Sequence, residues 1–437
     1  MHRRSLAVLA AAVSLAFGAA ACSSSSDGKA AGSTSAGPTS FAGKTLTVWY
    51  MDGDLSSQAQ AAINASFTKA TGAKVNVQIQ EWTNINTRIS TALSQDNPPD
   101  VIEIGNTDVP LFAAAGALSD ISPDVSGLDG GQSWLPGLVG PATVGGKVYA
   151  APLFAGNRAV IYNKQIWGAA GITAPPTSLA ELTADLDKIK AANPSPDFSA
   201  FYFPGEYWYG ALQFVWDAGG QLATDNNGTW AGALESPAAQ QGLSTWKNFQ
   251  NTYSTAASRN TDTKTPDQAS LFANGKAATI LDTSINTVVK DNPALKGEIG
   301  TFPFPSSTPG KNQPVFLGGS DLAIAAKSQN QAMALAYLKA ATSTSVQTSA
   351  IVGIDGWTPV STQLIDQTSG TLTSTSQAFS VAAKNSVATP ATPGWATIES
   401  DQTINTFFSD IATGRKTPLQ AAQGFDSHLN QALNAGQ

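Results

Sequence analysis

The sequence predicts an α/β protein built as two lobes, and two observations carry that expectation. Between residues 45 and 108 the hydrophobic period switches between two and about 3.6, giving strand, helix, strand, helix, strand. About 400 residues follow the N-terminal leader and tether, more than one compact core ordinarily holds.

The first 43 residues stand outside that fold. Arg3 and Arg4, an apolar run from Leu6 to Ala16 and the small residues Ala19-Ala20-Ala21 form an export-signal pattern, too short for a membrane span. The arginine pair fits twin-arginine export as well as the general route. Cleavage after residue 21 makes Cys22, the sole cysteine, the first mature residue. Its thiol can carry lipid, and a second acyl chain on the new α-amine makes anchoring stable. Ala19-Ala20-Ala21-Cys22 resembles a lipoprotein lipobox, with alanine where leucine is commoner. The plainer alternative, a secreted protein with a free thiol, would invite unwanted pairing outside the cell. Residues 23–40 are nearly all Ser, Gly, Ala, Thr and Pro, too poor in apolar side chains to offset their ordering entropy. Residues 1–21 are thus expected to be a signal peptide and 22–43 a lipidated flexible tether.

The fold begins at residue 45. Leu46, Val48 and Tyr50 alternate with Thr45, Thr47 and Trp49, and Asp52-Gly53-Asp54 turns the chain. A helix follows, capped by Ser56, with Ala59, Ile63, Phe67 and Ala70 on one face and Gly72 at its stop. Val75, Val77 and Ile79 mark a second strand, ending at Glu81 and Trp82. Ile85, Ile89 and Leu93 mark a second helix, terminated by Pro98-Pro99. The third strand lies in "DVIEIGNTD". This alternation implies right-handed crossovers and a parallel sheet, whose ligands bind beyond the carboxyl ends of the strands. Those ends carry Asp52, Asp54, Glu81, Trp82, Asn106 and Asp108, a set able to bind hydroxyls and stack on a ring. Turn chemistry explains Asp54 and Asp108. For Asp52, Trp82 and Asn106 both readings stand.

Composition excludes several classes. A net charge of −7 with 13% charged residues argues against nucleic acid as a partner. His2 leaves with the leader, so His428 alone remains, and multi-histidine zinc sites, Cys-His pairs and CxxC centres are excluded. Neither GxGxxG nor GxxxxGK[ST] occurs. No metal or cofactor is expected. The ten tryptophans suit sugar rings, which present C–H faces to an indole, although core packing explains any single one.

The order of segments resembles the family 1 extracellular solute-binding proteins of ABC importers, the sugar-binding group that includes maltose-binding protein. The likeness runs through "LTVWYMDGD", "SFTKATGAKVNVQ", "DNPPDVIEIGNTDVPLFAAAGALSDIS", "GGKVYAAPLFAGNRAVIYNKQIW", "LFANGKAATIL", "FLGGSDLAIAAKS" and "GWTPV", nearly the whole mature chain in family order. "EIGNT" and "AGNRAVIYNK" look most like actinobacterial members that bind N-acetylglucosamine or chitobiose. The resemblance implies the type II periplasmic-binding-protein fold, each lobe a mainly parallel sheet flanked by helices, with a hinge and a cleft between. It places residues 44–158 plus 303–343 in the N-terminal lobe and 159–302 plus 344–437 in the C-terminal lobe. It also implies a lipid-anchored monomer that closes on a sugar and delivers it to membrane permease subunits.

Residue by residue, the resemblance brings aromatics to the ligand at Tyr207, Trp208 and Tyr209, and at Trp357 and Trp395. Arg158, beside Asn157 at the first crossing, is suited to hydroxyl or acetamido oxygens, with a hinge ion pair as its plainer role. At "ILDTSIN" the family commonly has a Trp after Gly-Pro or Gly-Asp; here Asp282 can keep the acidic contact but the indole is missing. Gly318 and Gly319 permit close backbone approach. The rival class is a secreted glycoside hydrolase, which also uses tryptophans and needs two carboxylates across the scissile bond. The lobe order, and the absence of an eightfold strand-helix repeat, argue against it.

Overall fold

A computed structural model describes residues 40–435. The predicted signal peptide, Cys22 and most of the predicted tether lie outside those residues. β1 (Thr45–Met51), β2 (Lys74–Gln80) and β3 (Val101–Gly105) are parallel and linked by α1 (Ser57–Thr71) and α2 (Ile85–Ser94). β4 (Ala150–Gly156) leads across to β5 (Ala159–Asn163), and the second lobe adds α3 (Trp208–Asp217), β6 (Thr279–Asp282) and β7 (Ile299–Phe302). The chain returns as β8 (Gly318–Ile324), then crosses again to α4 (Ser374–Ala383) and α5 (Gly394–Ser400). Strand order is β2-β1-β3-β8-β4 in the first sheet and β6-β5-β7 in the second.

Local chemistry explains the first βαβαβ run. The Ser56 hydroxyl accepts from the Ala59 N–H at 3.2 Å and so satisfies an orphan donor of α1. Gly72, at φ 74°, ends the helix with its N–H on the Thr68 carbonyl. Ala59, Ile63 and Phe67 are buried as the spacing predicts; the next core position is Thr71, a four-residue step from Phe67, and Ala70 is exposed. Leu46, Val48 and Tyr50 pack on that side, while Met51, Ile102 and Ile104 face Ile85, Ile89 and Leu93 of α2 on the other. Both faces of the sheet are therefore covered, as parallel strands require.

The second lobe has its own core, with Trp167, Trp246, Trp395, Phe201, Phe203 and Phe408 fully buried. Its two ladders run antiparallel, where a mainly parallel sheet was expected, because β5 leaves the hinge and β7 returns to it. Parallel bridges Ser199–Ala277 and Tyr202–Ile280 extend the sheet past β6. The segment after residue 343, expected wholly in the second lobe, packs first on the other one. Val346, Ala350, Ile351, Val360 and Ile365 join the core of the first sheet, and Thr358 bridges Ala155 at the edge of β4. Its cause is local: the Ser343 hydroxyl caps a new helical turn, so the chain folds back before crossing.

One group works against this stability. Asp321, on β8, is fully buried and neither carboxyl oxygen has a hydrogen-bond partner among the described residues. Burial pushes its carboxyl well above the usual range. A raised folded value means that its contribution is fully present below about pH 4 and is lost as pH rises toward that value. Asp321→Leu, close in volume and apolar, is expected to raise the melting temperature at pH 7.5. The gain should shrink as pH falls toward 4.5, which melts at a series of pH values would show.

Candidate functional site

The site forms where the ends of β1 and β3 meet β8 and the second lobe. Gly53 adopts φ 86° and reverses the chain after β1, leaving Asp52 exposed while Asp54 is partly buried at the cleft. Asp54 gathers three partners. One carboxylate oxygen accepts the Trp82 indole N–H at 3.3 Å, the other accepts the Ser320 hydroxyl at 2.9 Å, and its carbonyl accepts the Trp357 indole N–H at 2.9 Å. Behind it stands Glu103, fully buried, with Oε2 accepting the Met51 N–H at 2.8 Å. Burial first, and the Asp54 carboxylate second, push Glu103 well up, which favours a protonated Glu103 able to donate toward Asp54.

At the end of β3, Asn106 is buried and donates to the carbonyls of Gly137 and Leu317 at 3.2 and 3.0 Å. Thr107 next to it reaches the other lobe, its hydroxyl donating to Glu399 Oε2 of α5 at 3.0 Å. Asp108 accepts from Asn86 at 3.0 Å, and burial raises its carboxyl. Burial first, and the Asp108 carboxylate second, push Glu399 up to about 8, with Thr107 and Trp395 pulling the other way.

The second lobe supplies the facing wall. Arg158 donates from Nε to the Tyr207 hydroxyl at 2.9 Å, and its guanidinium lies 4.3 Å from the Tyr209 ring centre and 5.6 Å from that of Phe316. These faces hold the cation, and among the described residues it makes no ion pair and its terminal nitrogens make no hydrogen bond. Burial pushes both the Tyr207 and Tyr209 phenols up to about 12. Both stay neutral donors across the physiological range.

These groups enclose a cleft of about 370 Å³, walled by Trp82, Phe154, Tyr209, Phe316 and Trp357 and edged by Asp54, Asp108, Arg158 and Glu399. Trp357 stacks on Phe154 with ring centres 4.8 Å apart and closes one end. A hollow of about 920 Å³ continues past it, sharing Gly156, Thr283 and Trp357. The smaller cleft is the one that collects the loops at the ends of the strands.

Of the residues singled out from sequence as ligand contacts, Trp82, Asn106, Arg158, Tyr209, Gly318, Gly319 and Trp357 line this cleft. The others do not. Asp52 and Glu81 are exposed outside it. Asn157 lines the larger hollow and donates to the Phe379 carbonyl at 2.9 Å. Tyr207 is buried behind Arg158, its hydroxyl donating to the Leu281 carbonyl at 3.1 Å. Trp208 and Trp395 are core, packed edge to face at 5.7 Å, where direct contact with ligand was expected. Asp282 accepts the Thr283 N–H at 2.7 Å, and it is Thr283 that reaches the cleft. Sequence reasoning assigned Asp54 and Asp108 to turns and did not single out Phe154, Phe316 or Glu399 as ligand contacts; of Tyr207, Trp208 and Tyr209, it is Tyr209 that lines the cleft. For Tyr209 the signal was present in "EYWYG", but only the register of α3 decides which ring faces out. For Glu399 no local signal exists.

Among the described residues no helix is long and apolar enough to cross a membrane, and no cluster of His, Cys, Asp and Glu is arranged to hold a metal. Two α/β lobes with a cleft at the strand ends, lined by rings and hydrogen-bonding groups, define a binding protein of the two-lobe periplasmic type. The chain belongs to the bacterial extracellular solute-binding protein family, which matches residues 52–348. It is 36% identical over 419 residues to the diacetylchitobiose binding protein DasA of Streptomyces coelicolor, covering 95% of both chains. Solved structures share the fold. The sugar-binding protein MalE of Xanthomonas citri superposes with a TM-score of 0.78 at 24% identity, over 89% of this chain and 97% of that one. The GacH receptor of Streptomyces glaucescens gives 0.72 at 22% identity, over 90% and 99%.

Proposed function

We propose that this protein is the sugar-binding component of an ABC importer, taking a short oligosaccharide of N-acetylglucosamine and delivering it to separate permease subunits. It acts by closing its lobes on the ligand and requires no chemistry of its own. In this reading Cys22 carries the lipid that holds the protein at the outer face of the cell membrane. The observation that carries the reading is the cleft. Five aromatic side chains wall it, while carboxyl groups and one arginine reach its edge, the arrangement that stacks a pyranose and bonds its hydroxyls. Its volume of about 370 Å³ lies at the lower end of small-ligand sites, roughly 300–1,000 Å³, and favours a disaccharide over a long chain. The likeness to the diacetylchitobiose binding protein of Streptomyces coelicolor supports the same class.

Calorimetric titration and thermal melts with diacetylchitobiose test it. Saturable binding, a melting temperature that climbs with ligand concentration, and disaccharide recovered intact by chromatography are the expected results. Release of monosaccharide would replace the binding reading with a hydrolase.

A further inference from the structure

Glu399 and Asp108 both line the cleft where the lobes meet, with Glu399 bonded to Thr107, the residue next to Asp108. Glu399 accepts the Thr107 hydroxyl and Asp108 accepts the Asn86 amide, each at 3.0 Å. Among the described residues no cation forms an ion pair with either. Arg158, in the same cleft, is held over Tyr209 and bonded to Tyr207. α5 also packs against the helices Thr403–Thr413 and Pro418–Ala432, whose charged groups are committed elsewhere. Asp410 pairs with Arg415 and Lys416, Asp426 accepts the Leu234 and Glu235 amides, and His428 bonds Asp401. Burial first, and the Asp108 carboxylate second, favour the protonated form of Glu399. The cleft therefore offers one hydrogen-bond donor and one acceptor in its lining.

An acetamido substituent presents the inverse pair, a carbonyl acceptor and an N–H donor on adjacent atoms. Resting on the sugar-binding reading above, we propose that Glu399 and Asp108 read this group, Glu399 donating to its carbonyl oxygen and Asp108 accepting its N–H. Tyr209 and Phe316, in the same cleft, give its methyl an apolar surface. The pair sets which sugar is taken, and because Glu399 comes from the opposite lobe, the same contact draws the lobes together. An acid donor has a further consequence. Glu399, pushed up to about 8 by burial and by Asp108, must hold its proton to bind, so affinity is level below that pH and falls above it.

The test is titration calorimetry at pH 6 and pH 9 with three disaccharides: diacetylchitobiose, its fully deacetylated form, and cellobiose. Wild type should favour diacetylchitobiose at pH 6 by roughly tenfold or more and bind it more weakly at pH 9. Glu399→Ala should lose roughly tenfold or more at pH 6. Glu399→Gln keeps an N–H donor, so it should recover most of that loss and no longer weaken at pH 9. Asp108→Asn should narrow the preference for diacetylchitobiose over cellobiose. Melts of each variant without ligand separate loss of fold from loss of contact. Equal wild-type affinity at the two pH values overturns the proposal, as does a glutamine variant no better than alanine or an unchanged preference in Asp108→Asn. Tightest binding of the deacetylated form would assign the carboxyls to an ammonium group and overturn it too. If wild type binds none of the three, the sugar reading itself has failed, before any variant is considered.

Discussion

Gly319→Ala is expected to cost about 3 kcal/mol or more, seen as a melting temperature lower by about 5 °C or as failure to fold. Two costs combine at this position. Gly319 adopts φ 132°, a conformation that L side chains rarely take. A Cβ built there would also stand 2.2 Å from the Phe154 carbonyl oxygen, against backbone that no rotamer change can move. Relief would come from parting β8 and β4, the two strands that carry the chain through the hinge, just where register already shifts between Ser320 and Asp321. The damage should reach the ligand as well, because Ser320 is the next residue and holds Asp54. Gly310→Ala is the matched control. It shares a positive φ, 73°, but opens on empty space, so only the backbone cost of about 1 kcal/mol should appear. Equal losses at the two positions would show that the close approach to Phe154 contributes nothing.

The contrast between these glycines also marks how far sequence reaches. Positions whose role is set by the chain near them were legible. The Ser56 cap, the Gly72 stop and the strands ending at Met51, Gln80 and Gly105 depend on local period and turn chemistry, and they fall where the pattern puts them. Gly319 was singled out, but as a close approach to ligand; what approaches is the backbone of β4, more than 160 residues earlier in the chain. The same limit applies to tryptophan. Five of the ten, Trp134, Trp167, Trp208, Trp246 and Trp395, are buried, and nothing around Trp395 in sequence distinguishes it from Trp357, which lines the cleft. Glu399 shows it most clearly. Its partners are Thr107 and Asp108, nearly 300 residues away, so its environment exists only once the lobes have met. Asp52 and Asp54 mislead for a subtler reason: both are good turn residues, and the positive φ of Gly53 between them decides which is left to solvent.

Asp54→Ala is expected to weaken ligand binding by about 3 kcal/mol, roughly a hundredfold, while leaving the fold nearly as stable as before. Asp54 sits in a loop and not in the core, so deletion of its side chain opens no large cavity. What it removes is the acceptor for the Trp82 indole and the Ser320 hydroxyl. Trp82 is already 39% exposed, and without that bond its ring loses the hydrogen bond that fixes it as one wall of the cleft. Glu103 behind it would then lose its carboxylate neighbour and be left as a buried acid held by the Met51 amide and Ser320. Glu103→Gln separates the two effects. It retains a donor toward Asp54 and removes the acid proton, so it should leave Trp82 in place and weaken binding far less than Asp54→Ala does. Tryptophan fluorescence reports the difference directly: the ligand-induced change should be reduced in Asp54→Ala and kept in Glu103→Gln. A full-sized fluorescence change with wild-type affinity in Asp54→Ala would return this residue to the turn role that its sequence context implies.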